Sequence, residues 1–477
     1  MTSFYDILDI PRNAKDTDIR KSFMRLALTK HPDKGGNEIE FQRIQIAYET
    51  LLNNHKRRIY DAYGEKGLEK TSEQIFTEKF KNGAFANQEN IHNKFNALKT
   101  ENEKLLRNMQ IIKPDYKSDF ATSFDSWMRN RNKDQGVVIT EKDIAEQVGV
   151  DPSSYDKVDI SEHCGTYDSI ERDFEGNLEL KSRIIPSELI WNELLVKTLA
   201  TPLSECDFYH QGKLGADFVG KIIKVGPGVE GFSEGDFVFS HAPIGDIGMF
   251  CDFSVIKAKY LTLLPMTSLS MEKLGCFKAF YTAYRILNDA ENLKPGDVII
   301  QNNAESILGQ AICCLGKILQ LKVIALVENL TNELSTKLVA LGATLVWENN
   351  TEVLDKIEKE RINSPRLAID GLGSLDILGK SLRTGCDLIT YSRNPTKKFP
   401  NQALIQNMIN IKGFYHLFDN KELEDPQMME AIVLLMEEYK EDFLLDIKKS
   451  LNDLLIDTAT PRNNKMWIPN NGETELA

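Results

Sequence analysis

The chain has 477 residues, 42% of them apolar and 27% charged, with a formal net charge of -13. That length exceeds what one hydrophobic core serves and predicts about three domains of an ordinary globular kind. The acidic balance argues against nucleic acid as a partner, because phosphate binding needs a basic surface, and no apolar run is long enough to span a bilayer.

The opening MTSFYDIL carries neither an apolar signal core nor an arginine-rich presequence, so a cytoplasmic location is expected. The seven cysteines show no Cys-x-x-Cys pair and no Cys/His cluster at ligand spacing. Reduced core thiols are expected, and no metal site.

Phe4 to Ile10 form a short apolar turn stopped by Pro11. A helix follows, capped by Asp16 or Thr17, with Ile19, Phe23 and Leu26 as its buried stripe. Lys21 and Arg25 lie one turn apart on the opposite, solvated face. The helix runs into His31-Pro32-Asp33-Lys34-Gly35-Gly36, where proline restrains the backbone and two glycines release it into a turn. A second helix presents Phe41, Ile44, Tyr48 and Leu51, enough for two antiparallel helices to bury a small core.

Tyr5-Asp6-Ile7-Leu8, RKSFMRLAL from Arg20 to Leu28, His31-Pro32-Asp33-Lys34 and KRRIYD from Lys56 to Asp61 resemble the J domain in order and spacing. The resemblance covers about residues 3–67. It implies that His31, Pro32 and Asp33, with Lys21 and Arg25, contact a seventy-kilodalton heat-shock chaperone and stimulate its ATP hydrolysis. The basic pair would supply attraction to an acidic surface. The family's Gly/Phe-rich and zinc-binding companions are absent, so the remaining sequence is expected to choose the client or location.

Residues 68–151 read as a polar helical linker. Ile91, Phe95, Leu98, Leu105 and Met109 alternate in steps of four and three, with Asn102 at the missing step. That pattern suggests a short coiled coil over 91–109, or an amphipathic helix against its own chain.

Beyond this the pattern turns β-rich. LLVKTL, FVGKIIKVG and GDFVFS are separated by turn signals such as Gly226-Pro227-Gly228. A β-rich domain is expected over 152–275 together with 415–455. A Rossmann-type domain is expected over 276–414, and a polar tail over 456–477. Lys294 to Asn329 is the decisive stretch. Pro295-Gly296 opens a strand at Val298, a helix carries Ile307, Leu308, Ile312, Leu315 and Leu319, and a second strand runs from Val323 to Val327. Two parallel strands joined by a helix make the first half of a dinucleotide-binding fold. Later strands are expected at Leu367 to Ile369 and Leu388 to Tyr391.

GPGVEGF from Gly226, Gly235-Asp236, TAYRIL from Thr282, LKPGD from Leu293, Gln301-Asn302, SPRLAI from Ser364 and KGFY from Lys412 resemble the medium-chain reductases. They are most similar to the trans-2-enoyl thioester reductases that use NADPH. The resemblance implies a GroES-like β-rich domain with a doubly wound Rossmann domain, and an ancestral NADPH-dependent enoyl thioester or quinone reduction. It also implies pairing through sheet edges into a homodimer, and it offers a mitochondrial location as the alternative.

The working positions depart from that pattern. The family tyrosine, two residues after a Gln-Gly pair, is Leu214 here, which can donate no proton. The phosphate turn reads Ala304-Glu305-Ser306-Ile307-Leu308-Gly309, with Gly309 surviving, Ser306 beside it and a branched side chain at Ile307. A dinucleotide needs small residues there for the backbone to approach its pyrophosphate. Glu305 against a diphosphate charge at about 4 Å would cost roughly 4 kcal/mol at an effective dielectric of 20. Alternatively, its carboxylate occupies the anion site at the helix N-terminus. Glu328 stands where the family arginine would hold a 2′-phosphate, which leaves NAD, through a ribose diol, as the surviving cofactor option. Ser392-Arg393 replaces an expected glycine pair.

Three readings follow. The first is a J-domain co-chaperone with a retired, cofactor-free reductase as its targeting body. The second makes the chain a structural subunit of a large assembly. The third is an NAD(P)H-dependent oxidoreductase with Glu328 on the ribose and Tyr209 or His210 as proton donor. The client or host assembly stays open.

Overall fold

A computed structural model describes residues 3–30, 37–81, 157–173, 175–204, 207, 212–240, 248–265, 267–290, 293–373, 375–392, 409–413, 425–457 and 464–469. It forms two compact units: Met1–Phe80 with Asp425–Lys440, and Lys81–Glu424 with Glu441–Ala477.

The first unit is helical. Helix α1 (Phe4–Leu8) starts in a capping box, where the Ser3 hydroxyl accepts from Asp6 N–H and the Asp6 carboxylate accepts from Ser3 N–H. It stops at Asp9, whose φ of 52° is left-handed. Helices α2 (Asp16–Lys30) and α3 (Glu38–Leu52) pack together, α3 being capped by Asn37. Ile19, Ile44, Ala47 and Leu51 are buried with Phe4, Tyr5 and Leu8, and Phe23 stacks on Tyr48 at 4.0 Å. The helical spacings foretold this core. Helix α4 (Asn54–Tyr63) ends at Gly64. A further helix, α5, covers 72–81 and begins in a second capping box between Thr71 and Gln74. It lies beyond residue 67, where a polar linker was expected to begin. Ile75, Phe76 and Phe80 are its buried apolar residues. The 91–109 pattern lies outside the described residues.

The second unit is α/β. Its first sheets use β1 (Val158–Asp159), β2 (Thr166–Arg172), β3 (Leu178–Ile184), β4 (Glu188–Leu189), β5 (Glu193–Pro202) and β6 (Gly212–Lys213). They continue through β7 (Val219–Val225), β8 (Phe237–Ser240), β9 (Phe253–Lys257) and β10 (Leu261–Leu263). Strand β5 is central, pairing antiparallel with β7 and β9. Its apolar run is buried on both faces, as a central strand requires. Helix α6 (Met271–Asp289) leads into a parallel sheet of β11 (Val298–Gln301), β12 (Lys322–Val327), β13 (Leu345–Glu348), β14 (Leu367–Asp370), β15 (Asp387–Thr390) and β16 (Asn410–Gly413). The order is β13-β12-β11-β14-β15-β16, doubly wound, with helices α7 (Ile307–Ile318), α8 (Asn332–Leu341), α9 (Glu352–Lys359) and α10 (Leu375–Ser381) between strands.

Two expectations about the C-terminal part need correction. Residues 415–455 do not act as one piece of the β-rich domain. Helix α11 (Pro426–Glu438), capped by Asp425, clusters with the first unit. Residues 456–477 are not simply a polar tail. Helix α12 (Leu451–Asp457) lies between β17 (Asp446–Lys448) and β18 (Lys465–Trp467), and β18 pairs antiparallel with β5 and parallel with β17. Met466, Trp467 and Ile468 are buried. Three apolar residues among asparagines and charges are too short a run to stand out in sequence. A central strand with an open edge supplies the backbone partners that make them a strand.

Candidate functional site

In the first unit, KRRIYD is where sequence and packing meet most closely. Tyr60 stacks on Phe4 at 4.2 Å, and its hydroxyl accepts the Phe4 N–H at 2.8 Å. The Tyr5 hydroxyl donates to Asp61 at 2.8 Å. The Arg57 guanidinium donates to the Tyr5 hydroxyl (3.0 Å) and to the carbonyls of Ala14 (3.0 Å) and Arg12 (2.8 Å). Three residues of the motif therefore fasten Phe4, Tyr5, Arg12 and Ala14 to α4, with charge-assisted bonds doing part of it. They build the platform that carries α2.

Lys21 and Arg25 are exposed on α2, as expected. Arg25 pairs with Asp9 at 2.9 Å, with side chains 58% and 77% exposed. So open a pair contributes about 0–1 kcal/mol, which leaves Arg25 available to another anion. His31, Pro32 and Asp33 lie outside the described residues. Their flanks, Lys30 and Asn37, begin and end the gap between α2 and α3.

In the second unit, the crevice at the carboxyl ends of β11, β12 and β14 is where a doubly wound sheet binds ligands. The Ser306 hydroxyl donates to the Asn303 carbonyl (2.8 Å) and accepts the Gly309 N–H (3.0 Å), capping α7 from within. A Cβ on Gly309 would lie 2.4 Å from the Asn303 oxygen and 2.6 Å from the Ala304 Cα. Glycine is kept there by close helix-to-strand packing, a requirement independent of any phosphate. The Glu305 carboxylate accepts the Glu328 N–H at 3.2 Å, tying the turn after β11 to the end of β12. The Glu328 side chain itself is exposed. Ile307 is buried.

The sequence reading missed how strongly the polar groups of this crevice engage one another. Asn302 Nδ2 donates to Asp370 at 2.8 Å, and its Oδ1 accepts the Gly371 N–H at 2.6 Å. Asp370 also accepts from Gly373 N–H (3.1 Å) and the Thr390 hydroxyl (2.8 Å). An acid closing a buried strand and followed by Gly371-Leu372-Gly373 is the signal that would have found it. Further along α7, Gln310 Nε2 donates to the carbonyls of Glu305 and Leu444, and its Oε1 accepts the Leu444 N–H at 2.7 Å. The segment after α11 is thereby stitched to the start of α7.

Leu214 belongs to a different cluster of the second unit. It is 2% exposed in an apolar cluster with Ile170, Leu203, Phe250, Leu454 and Trp467. Close to it, Asp207 accepts from the Ser204 N–H and hydroxyl and from the Gly215 N–H (2.7 Å), while burial pushes its carboxyl up to about 6. Those donors fill the carboxylate and pin Ser204 to Gly215. Tyr209 and His210 lie outside the described residues, as does Arg393. Of the described cysteines, Cys251, Cys276, Cys313, Cys314 and Cys386 are buried free thiols, and burial raises the pKa of Cys251 to about 12. Among the described residues, no group of three or more His, Cys, Asp or Glu is placed to hold a metal ion. None of their helices is long and apolar enough to cross a membrane.

The DnaJ domain family matches residues 3–61. Residues 3–61 are a DnaJ domain. The chain is 48% identical over 73 residues to DnaJ homolog subfamily B member 2 of Homo sapiens, covering 14% of this chain and 22% of that protein. It is 45% identical over 67 residues to chaperone protein dnaJ 3 of Arabidopsis thaliana, covering 14% and 16%. The chain thus spans between 16% and 22% of the length of these relatives, and the likeness is confined to the J domain.

The second unit has the medium-chain reductase fold. The Etr1p complex with NADP and crotonyl-CoA superposes with a TM-score of 0.52 at 19% identity, covering 64% of this chain and all of that one (100%). The mitochondrial 2-enoyl thioester reductase Etr1p/Etr2p heterodimer of Candida tropicalis gives 0.52 at 18%, with the same coverage of 64% and 100%. A quinone oxidoreductase of Pseudomonas syringae pv. tomato DC3000 gives 0.52 at 19%, again covering 64% and 100%. At such identities the likeness is one of fold.

Proposed function

We propose that this protein is a co-chaperone whose J domain recruits a seventy-kilodalton heat-shock chaperone and stimulates its ATP hydrolysis. In this reading the reductase-fold unit is a targeting body that performs no hydride transfer. One observation carries the first half: an exposed basic face on α2 runs directly into His31-Pro32-Asp33, on a J-domain platform whose core and fastening bonds are complete. An acidic chaperone surface would be drawn to Lys21 and Arg25 by charge and held by the His31-Pro32-Asp33 motif that follows in sequence.

Two departures favour the second half. The proton-donating phenol of the resembling reductases is replaced by a leucine enclosed in core. The turn that would cradle a pyrophosphate is engaged instead by the Glu305 carboxylate and by the Ser306 cap. Neither loss is small, since an acyl reduction needs both a bound hydride donor and a proton source.

The test is single-turnover ATP hydrolysis by a matching chaperone, with the unaltered chain and with His31→Gln. Stimulation by the unaltered chain that disappears in the variant is expected. Absence of stimulation by the unaltered chain would remove the reading.

A further inference from the structure

Helix α11 lies antiparallel between α4 and α5. At one end, His55 meets Glu437 (3.0 Å) and Glu438 (3.1 Å). In the middle, Arg58 meets Glu437 (2.7 Å) and Glu430 (2.9 Å). At the other end, the Tyr63 hydroxyl donates to the Gln427 carbonyl at 3.0 Å. Contacts to α5 run in the same sense. The Ser72 N–H donates to Glu438 at 3.2 Å, in the first turn of α5 where a carboxylate is favoured, and Lys79 bonds the Gln427 side chain.

The cluster is well enclosed: the side chains of Arg58, Glu430 and Glu437 are 15%, 17% and 8% exposed. Arg57 and Arg58 divide the motif between them. Arg57 turns to Tyr5, Ala14 and Arg12 of the J domain, and Arg58 turns to α11. We propose that α4 and α5 form a helix-docking surface whose occupant is α11 of the same chain, a clamp held by complementary charge that sets the stability of α4. The J domain is then completed by a segment more than three hundred and fifty residues downstream, as the Arg58–Glu430 separation of 372 positions measures. Length does not forbid it, because loop-closure entropy grows only slowly with the residues enclosed.

Hydrogen exchange on the full chain tests this, read in peptides covering 54–63, with peptides covering 298–327 as an internal reference. Glu430→Lys with Glu437→Lys, or Arg58→Glu alone, leaves buried charge uncompensated and should speed exchange in 54–63 by about a hundredfold. Combining Arg58→Glu with the two lysines should recover most of that loss while the reference peptides stay unchanged. Arg58→Met provides a milder break should the reversals unfold the chain, and it should also speed exchange in 54–63. Unchanged exchange in the single-sided variants, or a charge swap that recovers nothing, would overturn the clamp.

Discussion

The carboxylate of Glu305 accepts the backbone N–H of Glu328 at 3.2 Å, so two neighbouring strand ends of the parallel sheet are joined across the groove where a dinucleotide would run. The turn presents an acid that is structurally employed. Removing it therefore loosens the turn as well as removing repulsion. At about 1 mM NADH or NADPH, a binder with a dissociation constant of ~10 μM would gain about 2.7 kcal/mol of stability. No such gain is expected for this chain, and thermal shift measures it directly. Glu305→Gly with Ile307→Ala should admit the pyrophosphate better and raise NADH affinity at least about tenfold, since the like-charge term alone is of that order or larger. A clear melting shift of the unaltered chain with either nucleotide would return a working reductase to consideration.

The clamp around His55 makes a prediction about pH. The hydrogen bond that the His55 ring donates to Glu437 leads the causes that raise the His55 pKa above its usual value, against the lowering effect of burial. Facing His55 are Glu437 and Glu438 of α11, with Arg58 on its own helix bonded to the same Glu437, Glu430 beyond, and the Ser72 N–H of α5 on Glu438. A histidine raised on folding contributes stability that is fully present below its unfolded pKa of about 6.5 and is lost as pH rises through the folded value. Glu430 is raised too, chiefly by burial, and adds a change of the same sign in the acidic range. Exchange in 54–63 should therefore be slower at mildly acidic pH than at mildly alkaline pH, beyond the intrinsic chemical dependence. His55→Gln should abolish that difference. A difference that persists in the variant would show that another group titrates.

Much of this molecule was legible before any coordinates. The stripe Ile19, Phe23, Leu26 and the run Phe41, Ile44, Tyr48, Leu51 specify the J-domain core because helical periodicity is a local property. Strands β11, β12, β14 and β15 of the parallel sheet were found because buried parallel strands are short, largely apolar runs, whereas the more exposed β13 and β16 were not. What escaped depends on partners distant in sequence. Glu430, Glu437 and Glu438 look like a solvated face until Arg58 and His55 arrive. Lys465 to Trp467 looks like tail until β5 offers an edge. Glu305 was read as a repelling charge or an occupant of the anion site. Its partner is a backbone N–H on the next strand, which side-chain patterns do not encode.

The leucine at the family tyrosine position gives the sharpest remaining prediction. Leu214 donates its N–H to the Ile170 carbonyl and lies among Ile170, Leu203, Phe250, Leu454 and Trp467, with the Phe250 and Trp467 rings edge to face at 6.5 Å. The indole comes from β18, so the very strand that sequence concealed helps to wall in the position where a reductase would open its site. Leu214→Tyr is therefore expected to overfill a core and to bury a hydroxyl among apolar neighbours. A cost of about 1–3 kcal/mol is anticipated from overpacking, with a further ~1–3 kcal/mol for the unpartnered hydroxyl. Trp467→Ala should destabilise through the opposite defect, a cavity, by about 3–5 kcal/mol. Because the two changes meet in one cluster, the pair should be non-additive, the tyrosine ring using part of the space that the indole vacates. Denaturant unfolding of the two single variants and the double variant decides it. A tyrosine that leaves stability unchanged would mean that position 214 opens onto free space, and with it a site for substrate.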